Sequence, residues 1–92
     1  MRVFDIWAEW CPPCKRFAPI FESVAQKFPD VQFIKVDADS QIGFEILNEF
    51  RISSIPTILV VNDENQVIFQ HAGILSEPNL ELLVSQAVAY SA

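Results

Sequence analysis

Apolar residues follow two alternating rhythms along this chain, one suited to strands and one to helices. Val3-Phe4-Asp5-Ile6-Trp7-Ala8 is apolar except for one aspartate, so residues 2–8 read as a short strand buried on both faces. After Pro12 the spacing changes. Phe17, Ile20, Phe21, Val24 and Phe28 recur at helical intervals and predict a helix over 12–28. Pro13 is tolerated in its first turn, Pro19 inside it predicts a kink, and Phe28-Pro29-Asp30 closes it. Residues 31–37 form a partly alternating second strand, and strand–helix–strand order implies a right-handed crossover with a parallel pair. Residues 41–50 predict a less regular helix with Ile42, Leu47 and Phe50 inward, and Gly43 weakens it. Thr57–Val61 is a strand, Asn62-Asp63-Glu64-Asn65 a polar turn, and Gln66–Gln70 pairs back as a hairpin. A last helix over about 77–90 places Leu80, Leu83, Val84, Ala87 and Val88 on its inner stripe, with Ser76 and Glu77-Pro78 as start signals. The order β-α-β-α-β-β-α predicts one α/β domain over 1–92, without repeats or linkers.

Composition narrows the class. A chain of 92 residues is near the size where one core gives modest stability, and 51% hydrophobic content with eight phenylalanines can fill that core. The net charge of −6 argues against nucleic acid and anionic membrane as partners. No run approaches the roughly 18 apolar residues of a membrane span, and no charged start leads into an apolar segment as in a signal peptide. Two cysteines in total do not make a disulfide-stapled secreted scaffold, so a reducing, cytoplasmic setting is expected.

Both cysteines lie in Trp10-Cys11-Pro12-Pro13-Cys14-Lys15, where the first strand gives way to the first helix. A Cys-x-x-Cys pair there can cycle between dithiol and disulfide. Cys11 falls near the helix N-cap and Cys14 one turn inside. Free N–H groups and the positive end of the helix favour a thiolate at Cys11, which makes it the attacking sulfur. Cys14, covered by the helix, stays protonated until it resolves a mixed disulfide. Lys15 and Arg16 add positive charge nearby, whereas Pro12 and Pro13 have no N–H to give, leaving amides from Cys14 onward as donors. The single histidine, His71, cannot complete a four-ligand zinc site with two cysteines unless a carboxylate or a second chain contributes, so no metal is expected. Nothing completes a Cys–His hydrolytic pair either.

The segment Asp5-Ile6-Trp7-Ala8-Glu9-Trp10-Cys11-Pro12-Pro13-Cys14-Lys15 resembles the active-site segment of the thioredoxin family. Lys35-Val36-Asp37-Ala38-Asp39 resembles that family's next strand and its exit, Arg51-Ile52-Ser53-Ser54-Ile55-Pro56-Thr57 its cis-proline loop, and His71-Ala72-Gly73 the glycine turn before its last helix. The four motifs come in the family's order. The resemblance implies a minimal thioredoxin-like fold: a central four-stranded mixed sheet with helices on its faces. Two features depart from the pattern. Pro12-Pro13 stands where thioredoxins typically have Gly-Pro, as in tryparedoxins and nucleoredoxins, and only Met1 and Arg2 precede a strand that the family places after an extra strand and helix.

By that resemblance, Asp5 is the buried aspartate that relays a proton at Cys14; its alternative is an edge carboxylate facing water. Lys35 resembles the partner of that aspartate, against a solvated strand lysine. Asp39 resembles the acceptor for the indole of Trp7, against a turn or capping aspartate. Pro56 is expected to follow a cis bond, with the Ile55 backbone offered to an extended substrate strand. Trp10, Pro12, Pro13, Ile55, Pro56, Ala72, Gly73 and Ile74 would rim Cys11, with Gly73 allowing close backbone approach and Ile74 as readily a core residue.

The implied activity is thiol–disulfide oxidoreduction, most simply reduction of protein disulfides, with no cofactor beyond the Cys11–Cys14 pair. Electrons would come from a thioredoxin reductase or a low-molecular-weight thiol. The alternative is a redox-independent binding, assembly or chaperone module on the same scaffold. Strand 31–37 would lie at a sheet edge and invite a homodimer.

Overall fold

The computed structural model describes residues 1–91. Seven elements follow in the order β1 (Arg2–Trp7), α1 (Pro12–Ala25), β2 (Gln32–Asp37), α2 (Gln41–Glu49), β3 (Thr57–Val61), β4 (Val67–Ala72) and α3 (Glu77–Ser91). They build one four-stranded sheet in the order β2-β1-β3-β4. β1 and β2 run parallel, β3 runs antiparallel to β1, and β4 returns antiparallel on β3 through the polar turn. The sheet is therefore mixed, as the resemblance implies.

Period-two alternation sorts the strands into two faces. On the first, Val3, Ile58 and Val60 pack against Phe17, Phe21 and Val24 of α1 and Leu80, Val84 and Ala87 of α3. The ring of Phe33 meets Phe21 edge-on, with centroids 5.3 Å apart. Among the described residues, the second face carries only the nine-residue α2. Lys27, in the turn after α1, pairs with Glu77 and Glu81 of α3. No helix among the described residues is long and apolar enough to cross a membrane.

Four details differ from the pattern-based expectations. α1 ends at Ala25 rather than at 28, because Pro29 disfavours helical backbone at Phe28; the chain leaves through tight turns in which Lys27 and Phe28 donate to Val24 and Ala25. Ile42 is not inward but 64% exposed. The buried position in that turn of α2 is Gly43, where a Cβ would lie 1.9 Å from the Asp37 carbonyl oxygen, so the helix rests on β2 through bare backbone. Gly43 is thus what lets α2 dock, not a weakness in it. Val88 is also exposed, because the buried stripe of α3 is Leu80, Val84 and Ala87 and Val88 falls at its margin. Pro19 is accommodated within α1 on its exposed side.

Candidate functional site: a disulfide at a helix N-terminus

Three loops at the carboxyl ends of β1 and β2 and the amino end of β3 meet at the cysteine pair. Cys11 caps α1 in extended conformation, with φ −103° and ψ 101°, and Pro12 and Pro13 fill the first two helical positions. With neither proline offering an N–H, the Cys14 amide donates to the Cys11 Sγ at 3.2 Å, as an N-cap acceptor requires. Cys11 and Cys14 form a disulfide, with their Cα atoms 5.3 Å apart. Both are buried, at 4% and 1% exposure, in a small cluster with Ala8 that Trp7, Ala38 and Ile55 close.

The loop before β3 flanks this pair. The Ile55–Pro56 bond is cis, Pro56 is buried and Ile55 half-buried. The Ile55 carbonyl oxygen lies 3.9 Å from the Cys11 Sγ. Two contacts absent from the sequence reading hold the loop: the Thr57 hydroxyl donates to the Ser54 carbonyl at 2.6 Å, and the Gly73 amide donates to the Pro56 carbonyl at 2.8 Å. A threonine directly after the proline was the signal for the first. Gly73 has φ +100°, and a Cβ there would meet nothing within 4 Å. Within the chain its use is the backbone conformation, which a side chain would strain. Ala72 and Ile74 on either side are exposed, so Ile74 is not a core residue.

Trp10 is 66% exposed, and its indole donates to Asp39 at 2.8 Å. This corrects the expectation that Asp39 receives the Trp7 indole. Trp7 is the last residue of β1, and its ring lies flat beneath the Lys35 ammonium, whose nitrogen is 4.4 Å from the ring centroid. Trp10 comes after the strand has ended and can reach the loop between β2 and α2. Asp39 is held there, its own amide donating to Asp37 at 2.9 Å. Ser40 caps α2, accepting from the Gly43 amide at 3.0 Å and donating to the Asp37 carbonyl at 2.7 Å.

Asp5 is fully buried on the α1 face of β1, and neither carboxylate oxygen has a hydrogen-bond partner. Burial pushes its pKa up from 3.8 to about 6, against a smaller downward pull from Lys35. Lys35 is the register partner of Asp5 on β2. Its side chain is exposed and settles on the Trp7 ring. No group of three His, Cys, Asp or Glu among the described residues could hold a metal ion.

A buried disulfide capping a helix, a cis-proline loop against it and a buried aspartate without a hydrogen bond on the strand that leads into it define a dithiol–disulfide site on an α/β sheet. The comparisons give that class its family. The thioredoxin family model matches residues 1–86, and the chain belongs to the thioredoxin family. A relative from Streptomyces coelicolor is 44% identical over 85 residues, 92% of this chain and 61% of its own length. The thioredoxin of Bacillus subtilis is 35% identical over 83 residues, 89% of this chain and 77% of its own. Among solved structures, oxidised mitochondrial thioredoxin 3 of Saccharomyces cerevisiae superposes with a TM-score of 0.80 at 32% identity, covering 92% of this chain and 76% of that one. The chain spans about 60% of the length of the first curated relatives it matches, at 61% and 59%.

Proposed function

We propose that this chain is a thiol–disulfide oxidoreductase that reduces protein disulfides, with residues 1–92 acting as one domain. The observation that carries the reading is the Cys14 amide donating to the Cys11 Sγ at the N-terminus of α1. In the dithiol form the same donor and helix end stabilise a Cys11 thiolate. That thiolate attacks one sulfur of a substrate disulfide. A Cys11–substrate bond forms and the substrate's other sulfur leaves as a thiol after protonation. Cys14 then loses its proton and displaces the substrate's first sulfur, forming the Cys11–Cys14 bond and releasing the reduced product.

Asp5 suits the proton step at Cys14, since a carboxylate titrating at about 6 can hold or accept a proton near neutral pH; Lys35 moderates it from the neighbouring strand. Trp10, Pro12, Pro13, Ile55, Pro56, Ala72, Gly73 and Ile74 form the surface a substrate meets, with the Ile55 backbone pairing to an extended segment. Asp39 steadies Trp10, and Trp7 packs beneath the cysteines. The exchange itself uses no cofactor beyond the disulfide. A thioredoxin reductase or a low-molecular-weight thiol returns the electrons, in a reducing, cytoplasmic setting. The unpaired outer edge of β2 supports a homodimer, on which the exchange does not depend.

A redox titration of the full chain in a dithiol buffer, followed by tryptophan fluorescence, tests this. A midpoint near the roughly −270 mV typical of thioredoxin supports a reductase, and one near the roughly −180 mV of protein disulfide isomerase reverses the direction. Cys11→Ser with Cys14→Ser abolishes turnover of a protein disulfide. If disulfide reduction survives that change, the reading is wrong.

A further inference from the structure

Lys35 has two places to put its charge. Asp5, Trp7 and Lys35 share one face of the sheet, because Asp5 and Lys35 are register partners and Trp7 follows Asp5 by two. Neighbouring strands stand about 4.8 Å apart and alternate residues about 6.6 Å along a strand, so a lysine stem can turn to either. It turns to Trp7, with its nitrogen 4.4 Å from the ring centroid. Asp5, directly opposite, is left fully buried with neither oxygen hydrogen-bonded. Trp7 in turn packs on the cluster of Ala8, Cys11 and Cys14. One indole therefore touches the redox pair and carries the cation that lies in register with the buried carboxylate.

We propose that Trp7 is a positioning residue for the proton step: its ring holds the Lys35 ammonium off Asp5, so that the carboxylate keeps its strength as a base toward Cys14. The inference rests on the proton role proposed for Asp5. In resolution the Cys14 thiol gives its proton to the ionised Asp5. The Cys14 sulfur then bonds to the Cys11 sulfur, and the substrate sulfur leaves as a thiolate that water protonates. A carboxylate paired with an ammonium accepts a proton poorly, whereas one left without a partner in a buried site binds it tightly. The indole therefore acts by keeping a cation away.

The surroundings of Asp5 leave Lys35 as the charge that decides this. The buried stripes of α1 and α3, which cover this face, hold no acid or base besides Cys14. Across the sheet the row runs Lys35, Asp5, Ile58, His71, so an isoleucine separates the single histidine from Asp5. Burial raises the Asp5 pKa to about 6, and Lys35 pulls it down. That pull would deepen if the ammonium came nearer, since attraction between charges grows as their separation falls. Tryptophan offers a cation the strongest face of the aromatic residues. Lys35 is exposed where it rests, so the contact leaves the ammonium its water, which a move to Asp5 would remove.

NMR of the oxidised full chain, in which neither cysteine titrates, reads both halves of the inference. The Lys35 ε-methylene protons should be shifted upfield by the indole ring current and should lose that shift in Trp7→Leu. The Asp5 carboxyl carbon reports its titration midpoint, which should fall by about one pH unit in Trp7→Leu. Trp7→Phe keeps a ring on the cysteine cluster but a weaker face for the cation. It should give a smaller fall, and it serves if the leucine variant does not fold. In a Lys35→Met background the fall should shrink by at least about half, because no cation is left to move. A role for Trp7 in packing alone would lower the midpoint equally with or without Lys35. Ordinary ε-proton shifts in the parent, a midpoint unmoved by both Trp7 variants, or a fall undiminished by Lys35→Met overturns the proposal. Release of substrate from the mixed disulfide at pH 7, followed in a single turnover, should slow several-fold in Trp7→Leu. If the midpoint falls as stated and release keeps its rate, the proton role of Asp5 is overturned and the hold of Trp7 on Lys35 stands.

Discussion

Asp5 and Lys35 sit directly opposite each other on adjacent parallel strands, yet the carboxylate is buried without a hydrogen bond and the ammonium rests on Trp7. The two charges share a register and not a contact. Bringing the ammonium down to Asp5 would remove it from water, whereas the Trp7 ring holds it at the surface by a cation–π contact. Asp5 is consequently governed by burial, and its proton is held more tightly in the folded protein than in the unfolded chain.

That difference sets a pH dependence. Well below pH 3.8 Asp5 is protonated in both states and costs little. As pH rises from 3.8 toward 6, the unfolded chain ionises first and stability is lost; above 6 the loss is complete. Asp5→Asn removes the charge at nearly constant shape. The stability of Asp5→Asn relative to the parent should therefore rise by on the order of 2 kcal/mol between pH 4 and pH 7. Urea unfolding at the two pH values measures it, and a pH-independent difference would show that Asp5 is not held unionised by burial. If Asp5 carries the proton for Cys14 as proposed, turnover of a protein disulfide should fall in the same variant, because Asn cannot.

The proline pair gives a second prediction. The N-cap Sγ of Cys11 can accept from the second and third helical amides, and Pro13 occupies the second. Pro13→Ala restores that donor. In the reduced protein, alkylation of Cys11 by iodoacetamide at pH 6 should become several-fold faster, consistent with a hydrogen bond to an anion of about 1.5–3 kcal/mol, partly offset by a looser first turn. An unchanged or slower rate would mean that the Cys14 amide alone already saturates the thiolate.

Much of this site was legible in the sequence because its chemistry is local. A Cys-x-x-Cys between an apolar strand and a helical stripe places Cys11 at the cap whatever the rest of the chain does. The cis bond at Pro56 and the turn at Gly73 came instead from the resemblance of Ile55-Pro56-Thr57 and His71-Ala72-Gly73 to the family's motifs. What the residue pattern and the resemblance misassigned depends on contacts between elements. Trp7 and Trp10 are three residues apart, and only the end of β1 decides which indole reaches Asp39. Gly43 looks like a helix breaker until Asp37 is seen against it. Ile42 looks like core because periodicity cannot tell that α2 covers just part of its face.

The Trp10–Asp39 bond is a surface contact between two loops, so it should matter more for substrate than for stability. Asp39→Ala should lower stability by no more than about 1 kcal/mol and should raise KM for a protein disulfide several-fold by freeing the exposed indole. Reduction of a small aromatic disulfide, which needs little of that surface, should change far less. Equal losses on both substrates would place Asp39 in the chemistry of the cysteines and not in the positioning of Trp10.

Gly43 and Gly73 allow the two uses of glycine to be separated by one substitution each. At Gly43 a Cβ would collide with the Asp37 carbonyl at 1.9 Å, and Asp37 is tied through that same carbonyl to the Ser40 hydroxyl. Neither backbone can retreat without breaking the cap of α2. Gly43→Ala should therefore cost at least about 3 kcal/mol, in the range of severe overpacking, and loosen α2 and the Trp10–Asp39 contact with it. At Gly73 the space is open and only φ +100° resists a side chain. Gly73→Ala should cost about 1–2 kcal/mol, the strain of one residue in a left-handed conformation. Urea unfolding of both variants, read by tryptophan fluorescence, ranks them. If Gly73→Ala were the more damaging, the docking of α2 on β2 would be softer than a bare backbone contact implies.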